Sequence, residues 1–227
     1  HKGEILGFFG LEGSGTSNLS RTIFGLEETD TGEIILKGKQ LKRVRPSVMI
    51  KEKILYLNNN RKKAGLFLNM PAFENMALPV LKKLSSFGFL LFSKIVAYAR
   101  ENIKKFTIMI PNAQSLPKNL SGGNQQKLMM ATCIGTDPNC VIINEPTRGI
   151  DVGAKAEIHK IVLSLAKKGT SVLLFSSEIP ELMSLADRII VMKNQTIAGS
   201  LSGEKINQED IMSLAAGEII ARSTPHV

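Results

Sequence analysis

A short, mostly apolar run, Glu4-Ile5-Leu6-Gly7-Phe8-Phe9, ends directly in a glycine-rich turn, Gly10-Leu11-Glu12-Gly13-Ser14-Gly15-Thr16-Ser17. The stretch Asn18 to Phe24 then suits a helix. The order reads as a buried strand, a tight turn and a helix. In that context the turn fits the phosphate-loop pattern G-x-x-x-x-G-K-[ST] at Gly10, Gly15 and Ser17, and Gly13 adds backbone freedom. Glycines let successive N–H groups point inward around a phosphate, and a helix N-terminus adds positive potential. The lysine position is held by Thr16. Removing one hydrogen bond to a charged group costs about 1.5–3 kcal/mol, roughly a tenfold to hundredfold loss in affinity. The hydrolytic transition state, which needs that charge, is expected to suffer as well.

Strand and helix signals alternate along most of the chain. Gly32 to Lys39 suits a strand and turn, and Lys53 to Leu57 a strand. Cys140 to Ile143 and Ser171 to Phe175 read as strands, and Ala154 to Lys168 and Pro180 to Ala186 as helices. Ile189 to Met192 and Thr196 to Leu201 read as a hairpin around Lys193-Asn194-Gln195. Such alternation predicts an α/β fold with a mostly parallel sheet and a C-terminal antiparallel hairpin. Between residues 71 and 118 the pattern becomes helical, punctuated by Pro71, Pro79, Pro111 and Pro117. We read 1–227 as one domain with 71–118 as an inserted helical subdomain.

The net charge of +9 fits nucleotide phosphates, nucleic acid or an anionic membrane face as partners, and plain solubility equally well. Local clusters are Lys37, Lys39, Lys42, Arg43 and Arg45, and then Arg61, Lys62 and Lys63. No aromatics are interleaved with the basic residues for base stacking, so nucleic acid is not the expected partner. Cys133 and Cys140 have no metal or redox spacing and read as small hydrophobes in a reducing compartment. The run Phe87-Gly88-Phe89-Leu90-Leu91-Phe92 is far short of the about 20 residues of a membrane span. It reads either as core packing or as a surface facing a transmembrane partner. The chain starts at His1 without a Met, which suggests a fragment.

Further motifs follow in order. Leu120-Ser121-Gly122-Gly123-Asn124-Gln125-Gln126 offers donors at a helix start. Cys140-Val141-Ile142-Ile143-Asn144-Glu145-Pro146-Thr147 is an apolar strand that delivers Asn144 and Glu145. Gly149-Ile150-Asp151 comes next. Together with the phosphate loop, these runs resemble the ATP-binding domain of ABC transporters, across nearly the whole chain. They are most similar to the second cassette of the tandem ribose/galactose-type sugar importer ATPases, through Leu-Ser-Gly-Gly-Asn-Gln-Gln, Glu-Pro-Thr-Arg-Gly-Ile-Asp-Val-Gly-Ala-Lys and Ser-Ser-Glu-Ile-Pro-Glu-Leu.

The resemblance implies a P-loop NTPase (RecA-like) core and an ABC transport ATPase that couples ATP binding and hydrolysis to uptake of a small solute, with a sugar as the expected class. It implies ATP and Mg²⁺ as cofactors. It also implies a second ABC domain and a transmembrane permease as partners, at the cytoplasmic face of the cell membrane. Gly10, Gly13, Ser14, Gly15, Thr16 and Ser17 would form this chain's own ATP site, and Ser121, Gly122 and Gly123 would reach the partner's ATP. Glu145 matches the general base. Ser17 and Asn144 take the metal positions, where an amide binds a hard cation more weakly than a carboxylate does. Asn59 stands at the Q-loop glutamine, one methylene shorter, and Ser177 stands at the switch histidine, where it carries no charge. His1, His159 and His226 read as solvated and do not replace that histidine.

The family's adenine-stacking aromatic precedes the phosphate loop, and only nine residues precede Gly10, so that residue is expected outside this sequence. The expectation is a weakened ATP site beside an intact signature, with little or no hydrolysis by this domain alone. A soluble nucleic-acid-linked or ribosome-linked ABC ATPase and a structural pseudo-ATPase are the alternatives.

Overall fold

The strand-to-helix order predicted for the first residues is present in the computed structural model. It describes residues 1–29, 31–41, 43–60, 65–87 and 89–218. Lys42, the Arg61-Lys62-Lys63 cluster, Gly88 and His226 lie outside the described residues. The chain divides into two compact units, residues 1–56, 139–145 and 162–227 in the first, and 57–138 and 146–161 in the second.

The first unit holds the sheet. Its strands are β1 (Ile5–Gly10), β4 (Ile54–Leu57), β7 (Cys140–Asn144), β8 (Ser171–Phe175), β9 (Arg188–Lys193) and β10 (Thr196–Ser202), in the order β10-β9-β1-β8-β7-β4. β1 pairs in parallel with both β8 and β9, and β7 in parallel with β8, while β10 runs antiparallel to β9. The strands read as continuous apolar runs because both faces are covered. Phe8 of β1 points toward α1 (Thr16–Phe24) and packs with Phe24, Met49, Ile142 and Phe175. Its ring lies flat on that of Phe175, 4.4 Å between centroids and 7° between planes. The neighbouring Gly7 faces the other way, where an added Cβ would meet Leu182 and Ala186 beside α7 (Ile179–Leu185) at 3.0 Å. Successive strand residues alternate sides, so α1 and α7 cover opposite faces.

Gly32 to Lys39 forms less strand than its pattern predicts, only the two-residue partners β2 (Ile35–Leu36) and β3 (Lys39–Gln40). α2 (Pro46–Lys51) follows, with Pro46 at its first position, where the missing N–H is no loss. α8 (Gln208–Ala216) is capped by Asn207, whose side chain accepts the N–H of Asp210 at 2.8 Å. The thiols of Cys133 and Cys140 are pushed up to about 12 and about 11 by burial, which keeps them protonated and unreactive.

The second unit is mostly helical. α3 (Ala72–Ala77) packs against α4 (Phe92–Lys105) and α5 (Gly122–Ile134). The helical pattern predicted for 71–118 is broken by a hairpin, β5 (Ser85–Ser86) with β6 (Phe89–Leu90). The apolar run around it is not core: Phe87, Phe89, Leu90 and Phe92 are all exposed. α6 (Val152–Lys167) is shared, its residues up to Ile161 belonging to this unit. His159 on α6 is partly buried rather than freely solvated. The buried ammonium of Lys127 donates to the Thr107 carbonyl at 2.6 Å and to Glu157 at 2.8 Å, which compensates its desolvation.

Asn75, fully buried on α3, fastens the preceding loop. Its Nδ2 donates to the carbonyls of Phe67, Met70 and Pro71 at 2.9–3.1 Å, and its Oδ1 accepts the Phe67 N–H at 2.9 Å. Asn75→Ala leaves those backbone groups without their partner, and is expected to lower stability by about 2–3 kcal/mol. The midpoint of urea unfolding reads the loss, and a midpoint unchanged by the substitution would refute it.

Candidate nucleotide site

The glycine loop turns on itself at the end of β1. The Ser14 N–H donates to the Leu11 carbonyl at 2.9 Å. A Cβ on Gly10 would lie 2.7 Å from the Ser14 Cβ and overlap its hydroxyl, so the turn closes only over a hydrogen atom. Gly15 has φ 92, a conformation open to glycine, and starts α1 without any side-chain cap. The first turn of α1 holds no acidic residue either. An uncapped helix N-terminus preceded by a glycine turn suits an anion.

The loop is braced from behind by the turn between β9 and β10, where Asn194 and Gln195 both have positive φ. The Gln195 N–H donates to the Ser14 carbonyl at 2.9 Å. The Gln195 backbone also stands 3.2 Å from where a Gly15 Cβ would be, so any larger residue at 15 would press on the brace.

The charge of the loop is opposite to what a polyphosphate needs. From Gly10 to Ser17 there is no cation and one carboxylate, Glu12. Thr16 turns its hydroxyl toward that of the buried Ser14, 3.4 Å away, a neutral pair where the family pattern has an ammonium. Ser17 is exposed, and its carbonyl accepts the Ser20 hydroxyl at 2.7 Å.

Asn144 at the end of β7 is only 6% exposed. Its Nδ2 donates to the Ser20 hydroxyl at 3.1 Å and to the Tyr56 hydroxyl at 3.2 Å, and those two oxygens lie 3.4 Å apart. Three neutral groups therefore satisfy one another under the glycine loop. Sequence reasoning named Asn144 but not Ser20 or Tyr56 as its partners. Ser20, one helical turn beyond Ser17, was the available signal.

Glu145, the next residue, has φ 49 and leaves the sheet sharply. Its N–H donates to the Phe175 carbonyl at 2.8 Å, and its Oε1 accepts the N–H of Ser177, also at 2.8 Å. The structure thus brings the glycine loop, Asn144, Glu145 and Ser177 into one unit.

Asn59, Ser121, Gly122 and Gly123 belong to the second unit. The exposed Ser121 caps α5; its hydroxyl accepts from Asn124 Nδ2 at 3.0 Å and from the Asn124 N–H at 3.4 Å. Asn124 Oδ1 in turn accepts the Met109 N–H at 2.8 Å. A Cβ on Gly123 would lie 2.6 Å from that of Ala154, so α5 meets the start of α6 through a glycine. Asp151 caps α6, accepting the Ala154 N–H at 3.0 Å. Gln125 donates to the carbonyls of Pro117 and Leu120, both at 3.1 Å, and fixes the approach to the helix. Asn59 is partly buried, beside an Asn58 side chain that accepts the Asn60 N–H.

A mostly parallel sheet whose first strand passes through glycines into a helix N-terminus defines a P-loop type α/β domain. The ABC transporter family profile matches residues 1–148, and the chain belongs to that family. It is 42% identical over 217 residues to the ribose import ATP-binding protein of Caldanaerobacter subterraneus, covering 95% of this chain and 44% of that one. It is 41% identical to a putative ribose/galactose/methyl galactoside import ATP-binding protein of Pseudomonas fluorescens, covering 96% of this chain and 42% of that one. The chain thus spans less than half the length of these relatives.

Among solved structures, a dimeric ATP-binding cassette in a post-hydrolysis state with ADP and Pi has a TM-score of 0.76 at 22% identity, covering 89% of this chain and 86% of that one. A nucleotide-free cassette from an ABC transporter has 0.77 at 23%, covering 94% and 85%. These likenesses establish the fold.

Proposed function

We propose that this chain is one nucleotide-binding cassette of an ABC importer for a small solute of the ribose/galactose class. It would work at the cytoplasmic face of the membrane with a permease and a second cassette. Its own ATP site is weakened, and its signature residues Ser121, Gly122 and Gly123 complete the site of the partner cassette. The relatives' names support the solute class, and the helix start at Ser121 supports the signature role.

The observation that carries the weakened site is the Asn144–Ser20–Tyr56 triad. The glycine loop and bare helix start fit the phosphates of ATP. The metal positions fit Mg²⁺ poorly: Ser17 and Asn144 supply no charge, and the Asn144 amide turns its Nδ2 to two hydroxyls, leaving a single neutral oxygen for a cation. Glu145 keeps the residue type of a general base, but its carboxylate is already bound to the Ser177 N–H, and Ser177 offers no cation to the γ-phosphate. The arrangement suits holding nucleotide, if weakly, better than hydrolysing it.

Calorimetric titration of ATP tests this reading. Thr16→Lys restores the cation and is expected to tighten ATP binding about tenfold to hundredfold. Equal affinity of the two chains would remove the ground for a weakened site.

A further inference from the structure

The β5–β6 hairpin of the second unit presents large apolar side chains that the described residues leave exposed. Phe87 is 100% exposed and Phe89 77%. Phe87 also has φ 50, in the left-handed region that aromatic residues rarely adopt. The base of the hairpin is firm. The Leu91 N–H donates to the Leu84 carbonyl at 3.2 Å, and Leu84 is buried. Phe92, 62% exposed, rests edge-on against the buried Phe73, 5.4 Å between centroids and 81° between planes.

The charge along the segment that carries the hairpin is of one sign. Lys82 and Lys83 lead into the hairpin, and Lys94 follows it in the first turn of α4; all three are exposed. Between Glu74 and Glu101 the sequence contains no carboxylate. Aromatic rings favour the boundary between headgroups and acyl chains, and flanking lysines reach anionic headgroups while their stems cover apolar surface. The combination is that of an interfacial anchor.

We propose that Phe87 and Phe89 of the β5–β6 hairpin insert into the headgroup region of an anionic lipid bilayer, with Lys82, Lys83 and Lys94 paired to lipid phosphates or carboxylates. The contact is with lipid and goes beyond any docking to a permease. It holds the cassette against the membrane at a point set by its own chain.

The chain contains no Trp, so Phe87→Trp provides a single reporter. It is mixed with vesicles of phosphatidylcholine, alone or with one-third phosphatidylserine, some carrying brominated acyl chains. The expected result on the anionic vesicles is a blue-shifted emission, quenched by the brominated lipid, with no response to phosphatidylcholine alone. Lys82→Glu with Lys83→Glu and Lys94→Glu is expected to weaken vesicle binding about a hundredfold or more, from roughly fivefold per lysine. Phe87→Ser with Phe89→Ser is expected to weaken cosedimentation of the chain with anionic vesicles at least tenfold. These residues are exposed, so an unchanged thermal unfolding midpoint separates loss of insertion from loss of fold. Binding that ignores the Phe87→Ser and Phe89→Ser changes, with an unquenched reporter, is adsorption of a +9 chain and overturns the proposal. A reporter that shifts only in membranes carrying the cognate permease also overturns it, in favour of a protein surface.

Discussion

Ser121→Leu in the assembled transporter is expected to abolish ATP hydrolysis, by about a hundredfold or more, while Glu145→Gln leaves most of the rate intact. The two residues sit at helix and strand ends that differ in what they have kept. Ser121 is exposed, caps α5, and is backed by Asn124 and Gln125, each with its own backbone partners. Glu145 follows Asn144, whose amide donates to the neutral Ser20 and Tyr56 hydroxyls. Loss of the cap alone costs about 1 kcal/mol, too little to unfold the domain, so a large loss of rate belongs to the phosphate contact. Phosphate release from the purified transporter in vesicles reads both variants. If Glu145→Gln abolishes release and Ser121→Leu does not, turnover runs at this chain's own site and the division of labour is wrong.

Phe175→Ala is expected to lower stability by about 3–5 kcal/mol. The ring is 2% exposed and lies flat on Phe8, in a cluster that also holds Phe24, Met49 and Ile142. Its removal opens a cavity between β1, β8 and α1 that the parallel strands cannot close without shifting register. The same residue accepts the Glu145 N–H through its carbonyl and lies opposite Asn144 across the β7–β8 pair. The strand that carries this ring thus also carries the carbonyl that fixes the Glu145 backbone. Denaturant unfolding gives the stability loss, and a loss under 1 kcal/mol would show that the cluster repacks around the gap.

What the sequence made legible follows from physical range. Strands β1, β7, β8, β9 and β10 are apolar runs bounded by turn residues, and such runs announce themselves within a few residues. α1 begins at Thr16, two residues before the predicted start, because Thr16 and Ser17 serve both loop and helix. The β5–β6 hairpin was hidden by its length: two-residue strands have no period to detect. α8 was missed although Asn207 and Gly217 mark its two ends, a capping signal that outlasts a weak apolar pattern. In the site, residue types at motif positions were readable. The Ser20 and Tyr56 contacts with Asn144 were not, because they join residues 124 and 88 apart.

The pairing of β1 sets an order of events during synthesis. This first strand lies between β8 and β9, and its first described pairings join Ile5 to Val172 and Leu6 to Arg188. The loop that follows it is tied to Gln195. A nascent chain makes this strand and its glycine turn well before either strand that pairs with it, β8 or β9, is translated. Through that interval β1 waits without its pairing strands. Pairings this distant are slow to form and leave sticky edges exposed meanwhile. The final hairpin is thus the segment whose arrival closes the sheet, and a ribosome stalled before residue 170 would hold a chain with every residue of its phosphate loop and no scaffold to shape it.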